Sequence, residues 1–478
     1  MLDILNKGGR CSDAEGNVWK KGEMMEILKK LAEFVVKTNF DDIPSEAVNV
    51  TKRALIDTLG VAFAGSREPV AKIITGFVKS FQSKPASGVI GGRIRVSSPD
   101  AALANGTMAH ALDYDDASNV QGHQSSTLFP TILALGEELG CSGKDVIAAY
   151  VLGAEVWSRI SSNMPGLHFK GWHPTSVFGP LGTAAAAAKL LRLDGKQTMM
   201  ALGLAGSQAA GIGQNFGTMT KPFHIGNAAR SGIVSAMLAR DGFTATQEIL
   251  EGSLGFPFAF YWSEKVDITK MGENLGNPFM IVSPGINVKK FPTCYLTHRA
   301  IDAMLHLVKE YDLKPGDIEN IDCQAPPRAV RMLFYNEPQN ALEGRFSVHF
   351  CLAVALVDRK IGLAQLNDNR VKDPSIRDLQ RKVMFHVYPG AGERETGENH
   401  SDVVTVKLKN GKEYSHGVLR AIGHAEVPLC WDELLEKYRE CASLVLKDHD
   451  VDRTIDIMSS MEKVKNIKEL MDIAAGIH

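Results

Sequence analysis

The sequence predicts a mainly α protein: a large all-helical domain with a smaller α+β domain set into it. Three observations predict this. The first ~280 residues carry apolar side chains at helical spacing in one segment after another. The texture changes after Asn287, where alternating strand patterns join the helices. Beyond Pro428 the chain returns to charged amphipathic helices. A chain of 478 residues is too long for one core, and at about 100–200 residues per domain it asks for two or three. The boundaries drawn are 1–284 for the first part of the helical domain, 285–420 for the α+β domain, and 421–478 for a C-terminal return to the helical domain.

Taken in order, Gly22–Thr38 places Met24, Leu28, Leu31 and Val35 on one helical stripe, with Lys29, Lys30 and Glu33 off it. Pro44–Ala64 repeats the pattern and opens with Pro-Ser-Glu, a helix start. Further helices are expected over Asp100–Ala111, Ser126–Leu139, Gly143–Ser161, Ser176–Leu191, Gly195–Gly211 and Asn227–Asp241, with a short β-rich break at Gly88–Ser97. Their many alanines and glycines let helix backbones approach closely. In the later segment Ile318–Gln324, Val383–Val387 and Val403–Leu408 read as strands, and Phe346–Val357 as an apolar helix. Asn410-Gly411 after the last strand is a strong hairpin signal, leading into Glu413–Ser415. There is no internal repeat.

Composition narrows the function. Hydrophobic residues at 44% and charged residues at 23% are ordinary for a soluble globular protein. With 53 basic and 55 acidic side chains, the net charge of −2 gives no reason to expect nucleic acid or an anionic membrane as partner. Met1–Lys21 lacks an apolar export core, and no apolar run is long enough to span a bilayer. The seven cysteines are sparse, odd in number and never in a C-x-x-C pair. That pattern fits a reducing cytoplasm and supplies neither a structural zinc site nor an iron–sulfur run. Gly211-Ile-Gly213-Gln-Asn-Phe-Gly217 has one residue too many for a dinucleotide fingerprint and follows a helix, and no G-x-S-x-G elbow is present. No cofactor and no metal is therefore expected.

Four segments carry chemistry. The first is His110-Ala-Leu-Asp113-Tyr-Asp115-Asp116, followed by His123. If the helix runs through Asp113, His110 and Asp113 share a face, and a carboxylate beside an imidazole suits proton transfer. A solvated acidic turn capping the next helix, or a divalent-metal site without standard spacing, would use the same residues. The second is Gly171-Trp172-His173-Pro174-Thr175-Ser176, where Pro174 pushes His173 out of helix and places it before a helix start, a natural anion site. A histidine satisfied locally at a helix start is the plainer alternative. The third is Thr220-Lys221-Pro222-Phe223-His224, whose lysine near a helix start favours a carboxylate, although most single lysines are simply surface residues. The fourth is Lys289-Lys290-Phe291-Pro292-Thr293-Cys294-Tyr295, at the seam where the texture changes. Cys294 has no nucleophile signature around it and reads as a buried or spectator thiol.

Together these strings resemble the MmgE/PrpD family. The matching stretches are HALDYDDA, GWHPTSVFGPLGTAAAAAKLL, TKPFHIGNAARSG and KKFPTCYLTH, with RFSVHF at Arg345–Phe350 as a weaker fifth. They occur in the family's order between about Ala47 and Val357. The resemblance implies a helical domain built from both chain ends, an α+β lid, a pocket between them, and a homodimer. It implies a cofactor-independent lyase acting on a small polycarboxylate by proton transfer at a carbon next to a carboxylate. It places Asp113, His123 and His173 as catalytic groups, and Lys221, Lys289, His224 and Arg345 as substrate-binding groups. Departures are Ala117 where threonine is common, Gln124 where proline is common, and Cys294 where the decarboxylase often has histidine; Phe334-Tyr335 stands near a pocket tyrosine without matching its spacing. These departures weigh against the decarboxylase more than against the family. The expected order is 2-methylcitrate dehydratase first, cis-aconitate-type decarboxylase second, and epimerase of a substituted succinate such as iminodisuccinate third. A non-catalytic helical binding protein and a metal-dependent hydrolase are the readings from other classes.

Overall fold

The computed structural model describes residues 26–261, 266–392, 397 and 399–477. Met24, counted in the first apolar stripe, and the Met1–Lys21 segment lie outside the described residues. Mainly α architecture with strands concentrated in the C-terminal part is what the element order shows. The chain divides into two compact units. The helical unit takes the described residues up to Ala111, Asp116–Ile286, and those from Asp432 onward; the α+β unit takes Asn287–Trp431 together with the four residues Leu112–Asp115.

The helical unit contains α1 (Glu26–Lys37), α2 (Ser45–Gly65), α3 (Pro69–Ser80), α4 (Ser98–Ala109), α5 (Ser125–Leu139), α6 (Gly143–Ser162), α7 (Pro174–Leu190), α8 (Gly195–Gly206) and α9 (Thr220–Arg240). The stripe of α1 is buried at Leu28, Leu31 and Val35. Starts are sealed by side chains: Ser142 and Asp145 form a capping box on α6, and Asp194 and Gln197 form one on α8. Ser87–Gly88 (β1) and Arg95–Val96 (β2) make the short antiparallel break. Small residues set the helix crossings that matter for function. At Gly226 on α9 a Cβ would lie 2.1 Å from the Leu103 carbonyl oxygen of α4, and at Gly153 on α6 one would lie 2.8 Å from the Gly182 carbonyl oxygen of α7. Glycine at these points is what lets α4, α6, α7 and α9 touch backbone to backbone.

Differences from the expected helix bounds matter for the site at three ends. The helix α4 stops at Ala109, with His110 as its cap (φ −104°, ψ 0°), and Asp113 has φ +51°. His110 and Asp113 therefore do not share a helix face. The helix α9 starts at Thr220, seven residues before Asn227. Pro222 falls in its first turn, where a missing N–H breaks no intrahelical bond, so the proline does not stop the helix. The helix α8 ends at Gly206 rather than Gly211.

In the α+β unit a four-stranded sheet runs in the order β4 (Val383–Val387), β3 (Ile318–Ala325), β5 (Asp402–Leu408), β6 (Glu413–Val418). The strands β3 and β4 are parallel, while β3/β5 and β5/β6 are antiparallel. Side chains of β5 alternate between buried and half-buried, and the Asn410-Gly411 turn joins it to β6 with Gly411 at φ +83°. Ile321, Cys323, Val404 and Val406 share a core with Ile301 and Met304 of α10 (His298–Tyr311) and Phe350 and Leu352 of α11 (Val348–Asp358). The C-terminal helices are α12 (Trp431–Ala442), α13 (Asp448–Ser459) and α14 (Lys468–Ala475). Among the described residues no helix is long and apolar enough to cross a membrane.

Candidate active site

In the helical unit, four histidines from four separate segments converge. His110 caps α4, His123 lies in the turn before α5, His173 is the N-cap of α7, and His224 sits in the second turn of α9. The His110 and His123 ring centroids are 4.5 Å apart, and His110 and His173 are 6.2 Å apart. His173 Nδ1 and His224 Nδ1 are hydrogen-bonded at 3.1 Å. Such a bond needs one donor and one acceptor, so one of the two Nδ1 atoms is unprotonated and the intact pair carries at most one extra proton.

Local structure explains the placement. Pro174 opens α7 at its first position and holds His173 extended (φ −87°, ψ 104°). The His173 N–H donates to the Gly211 carbonyl at 3.0 Å. Gly211 has φ +115°, and a Cβ there would meet Ser176 Oγ at 2.5 Å. Phe216 then packs edge-on against the His173 ring at 5.0 Å, and the Lys221 ammonium lies 5.5 Å from the Phe216 centroid. The glycine-rich stretch rejected as a dinucleotide motif thus builds one wall of the site. Its signal in the sequence was an aromatic set between glycines just ahead of Lys221. His123 is held twice: its N–H donates to Thr175 Oγ1 at 3.1 Å, and its Nδ1 lies 2.8 Å from the Asp116 carbonyl oxygen.

Charge follows from these neighbours. His173 is held well below the ordinary histidine pKa, first by burial and then by the Lys221 charge and the other three imidazoles. His224 is lowered as well, by burial and by Lys221. His173 and His224 thus favour their neutral forms beside the buried Lys221 side chain, and a cation at that place attracts an anion.

The remaining sequence-predicted residues lie in the α+β unit. Lys289 is completely buried, and its Nζ donates to the Asp113 carbonyl at 2.6 Å and to Asp113 Oδ1 at 2.8 Å. Burial works against its charge, but the carboxylates of Asp113 and Asp115 outweigh burial and raise its pKa. Tyr114 donates its hydroxyl to the Lys290 carbonyl at 3.1 Å. The segment Leu112–Asp115 is thus tied to the strand of chain that carries Lys289 and Lys290. Arg345 is buried, and its carbonyl accepts from the Cys294 N–H at 2.9 Å. His123, His173, His224 and Lys221 are brought together in one unit, and Asp113 and Lys289 are bonded in the other. His110, noted as part of the first motif but not chosen, stands between His123 and His173 in the histidine group.

The model of the MmgE/PrpD N-terminal domain matches residues 29–269, and that of the MmgE/PrpD C-terminal domain matches residues 291–463. The chain belongs to the MmgE/PrpD family. Relatives within the family include cis-aconitate decarboxylase of Homo sapiens, 31% identical over 471 residues and covering 95% of each chain. The Mus musculus cis-aconitate decarboxylase is 30% identical, with 95% of this chain and 94% of the relative aligned. That of Aspergillus terreus is 28% identical, with 91% and 92% aligned. As a member of the MmgE/PrpD family with such relatives, the protein is an enzyme of the lyase kind.

Proposed function

We propose that this enzyme is a cofactor-independent decarboxylase of a cis-aconitate-like polycarboxylate. The observation that carries the proposal is the convergence of His123, His173 and His224 with Lys221 in one unit. The relatives' activity moves decarboxylation ahead of dehydration, reversing the order expected from the departures at Ala117, Gln124 and Cys294.

In the proposed reaction Lys221 and His224 receive a carboxylate of the substrate. Negative charge brought beside the imidazoles offsets the Lys221 charge, and protonating His173 then costs less. The bond from the carbon framework to the departing carboxylate breaks, and its electron pair passes into the adjoining unsaturated acid. The framework takes one proton on carbon from a histidine, CO₂ leaves, and solvent restores the proton. The same charge stabilisation beside a carboxylate would serve dehydration if a β-hydroxyl left, or epimerisation if only the proton returned. Asp113 is assigned to proton transfer, and Lys289 and Arg345 to carboxylate recognition, on the family resemblance. A homodimer and a cytoplasmic site of action belong to the same proposal, and sedimentation equilibrium tests the first.

Proton NMR in D₂O with citrate, 2-methylcitrate, cis-aconitate and substituted succinates decides the reaction. Loss of CO₂ from cis-aconitate, unaffected by chelators, is the expected result. Loss of water from 2-methylcitrate would make the enzyme a dehydratase, and deuterium uptake without loss an epimerase. No reaction with any of these acids would turn the assignment towards a binding protein.

A further inference from the structure

A buried polar chain runs behind His123 and takes no part in the chemistry above. Asp116 and Ser125 are completely buried, and Ser125 Oγ donates to the Asp116 carboxylate. Ser125 Oγ is also 2.7 Å from the Tyr150 hydroxyl. A serine has one hydroxyl proton, and here it goes to the carboxylate, so Tyr150 is the donor to Ser125. The Tyr150 ring, itself completely buried, stacks on Phe129 at 4.4 Å with planes 6° apart. The Asp116 side chain is thereby anchored to α5 and α6, and its backbone carbonyl is the group that meets His123 Nδ1 at 2.8 Å.

A carbonyl oxygen only accepts. The contact therefore requires the proton on Nδ1, which leaves Nε2 as the lone-pair nitrogen of the neutral ring. We infer that Tyr150, Ser125 and Asp116 are positioning residues that hold His123 in its Nδ1–H tautomer, with Nε2 the atom that carries the reacting proton. The inference rests on the role of His123 proposed above. It also explains burying Asp116 in this unit: its hydrogen-bonded side chain anchors a backbone carbonyl whose direction decides which ring nitrogen is basic. The thread extends further, because Tyr150 also feels the Asp57 carboxylate, which is paired at 2.5 Å with Lys437 of α12.

The test is ring ¹⁵N NMR of histidine-labelled enzyme, with His123 assigned by loss of its signals in His123→Gln. Tyr150→Phe removes only the hydroxyl and keeps the stack on Phe129; Ser125→Ala is the second variant, and near-ultraviolet circular dichroism checks the fold of both. Neutral His123 is expected as the Nδ1–H tautomer in the wild type and as a tautomer mixture in the variants. Their kcat is expected to fall at least about tenfold while KM stays within about twofold. Neutral wild-type His123 found as Nε2–H overturns the inference, as does a tautomer shift that leaves kcat unchanged. If His123→Gln retains full turnover, the proposed role of His123 fails, while the tautomer measurement still reads the positioning chain separately.

Discussion

His173 in the helical unit and Lys289 in the α+β unit are both at most 2% exposed, yet they treat their charge in opposite ways. Burial disfavours the charged form of each. Lys221 and the three other imidazoles push the His173 pKa the same way as burial, so burial and neighbours act together to favour the neutral ring. Around Lys289 the nearest charges are Asp113 and Asp115, and attraction overcomes burial. The surroundings, rather than depth alone, decide whether a buried base favours its neutral form or is held as a fixed charge. The Lys289 ammonium already has its counter-ion and also bonds the carbonyl of Asp113 at φ +51°, so within its own unit it holds the Leu112–Asp115 segment in place.

The largest expected effect separates the two by activity. His173→Gln is expected to lower kcat by about 10²–10⁴, the range for loss of a general acid or base, while the free energy of unfolding falls by no more than about 1–3 kcal/mol, the range for one altered buried hydrogen bond. Steady-state kinetics and urea denaturation check both halves. Near-wild-type turnover would break the distinction, because His173 would then be a spectator.

Lys289→Met comes next and should act through stability. It leaves the Asp113 carboxylate buried without its ammonium, which costs about 3–5 kcal/mol. Adding Asp113→Asn removes the stranded charge, so the double variant should recover a large part of that loss in urea melts. A single variant as stable as the wild type would mean that the pair contributes nothing to the unit.

The smallest effect is in the pH dependence of stability, and its sign differs between the two sites. His173 is depressed in the folded protein, so below the ordinary value of 6.5 the unfolded chain binds more protons and stability falls with falling pH. Lys289 is raised, so its contribution is fully present below its ordinary value of 10.5 and is lost as pH rises through the folded value. Melting temperature measured from about pH 5 upward should show the acid-side loss shrink in His173→Gln. An unchanged acid limb would place the responsible group elsewhere.

Much of this was legible beforehand. Helical periodicity located α2, α5, α6 and α7 to within two residues at either end, and the Asn410-Gly411 signal marked the β5–β6 turn. Local rules also put His173 in an extended conformation at a helix start, because the constraint of a following proline acts between neighbours in the chain. They failed at Asp113 and at the start of α9. The left-handed backbone of Asp113 accompanies its bonds to Lys289, 176 residues away. The first turn of α9 reads as a loop in a periodicity count because Thr220, Lys221 and Pro222 carry no apolar stripe.

By itself, then, the sequence determined the helical texture, the change of texture after Asn287, and the residue types available for proton transfer and carboxylate binding. Those properties are written in spacing and side-chain chemistry over a few residues. Only the tertiary structure decided which imidazoles meet, that His173 shares a hydrogen bond with His224, that Asp116 serves His123 through its backbone, and that Lys289 is bonded to Asp113. Each of these depends on distances between segments remote in sequence. Protonation responds to burial and to every charge within a few ångströms, so it exists only once the chain has folded.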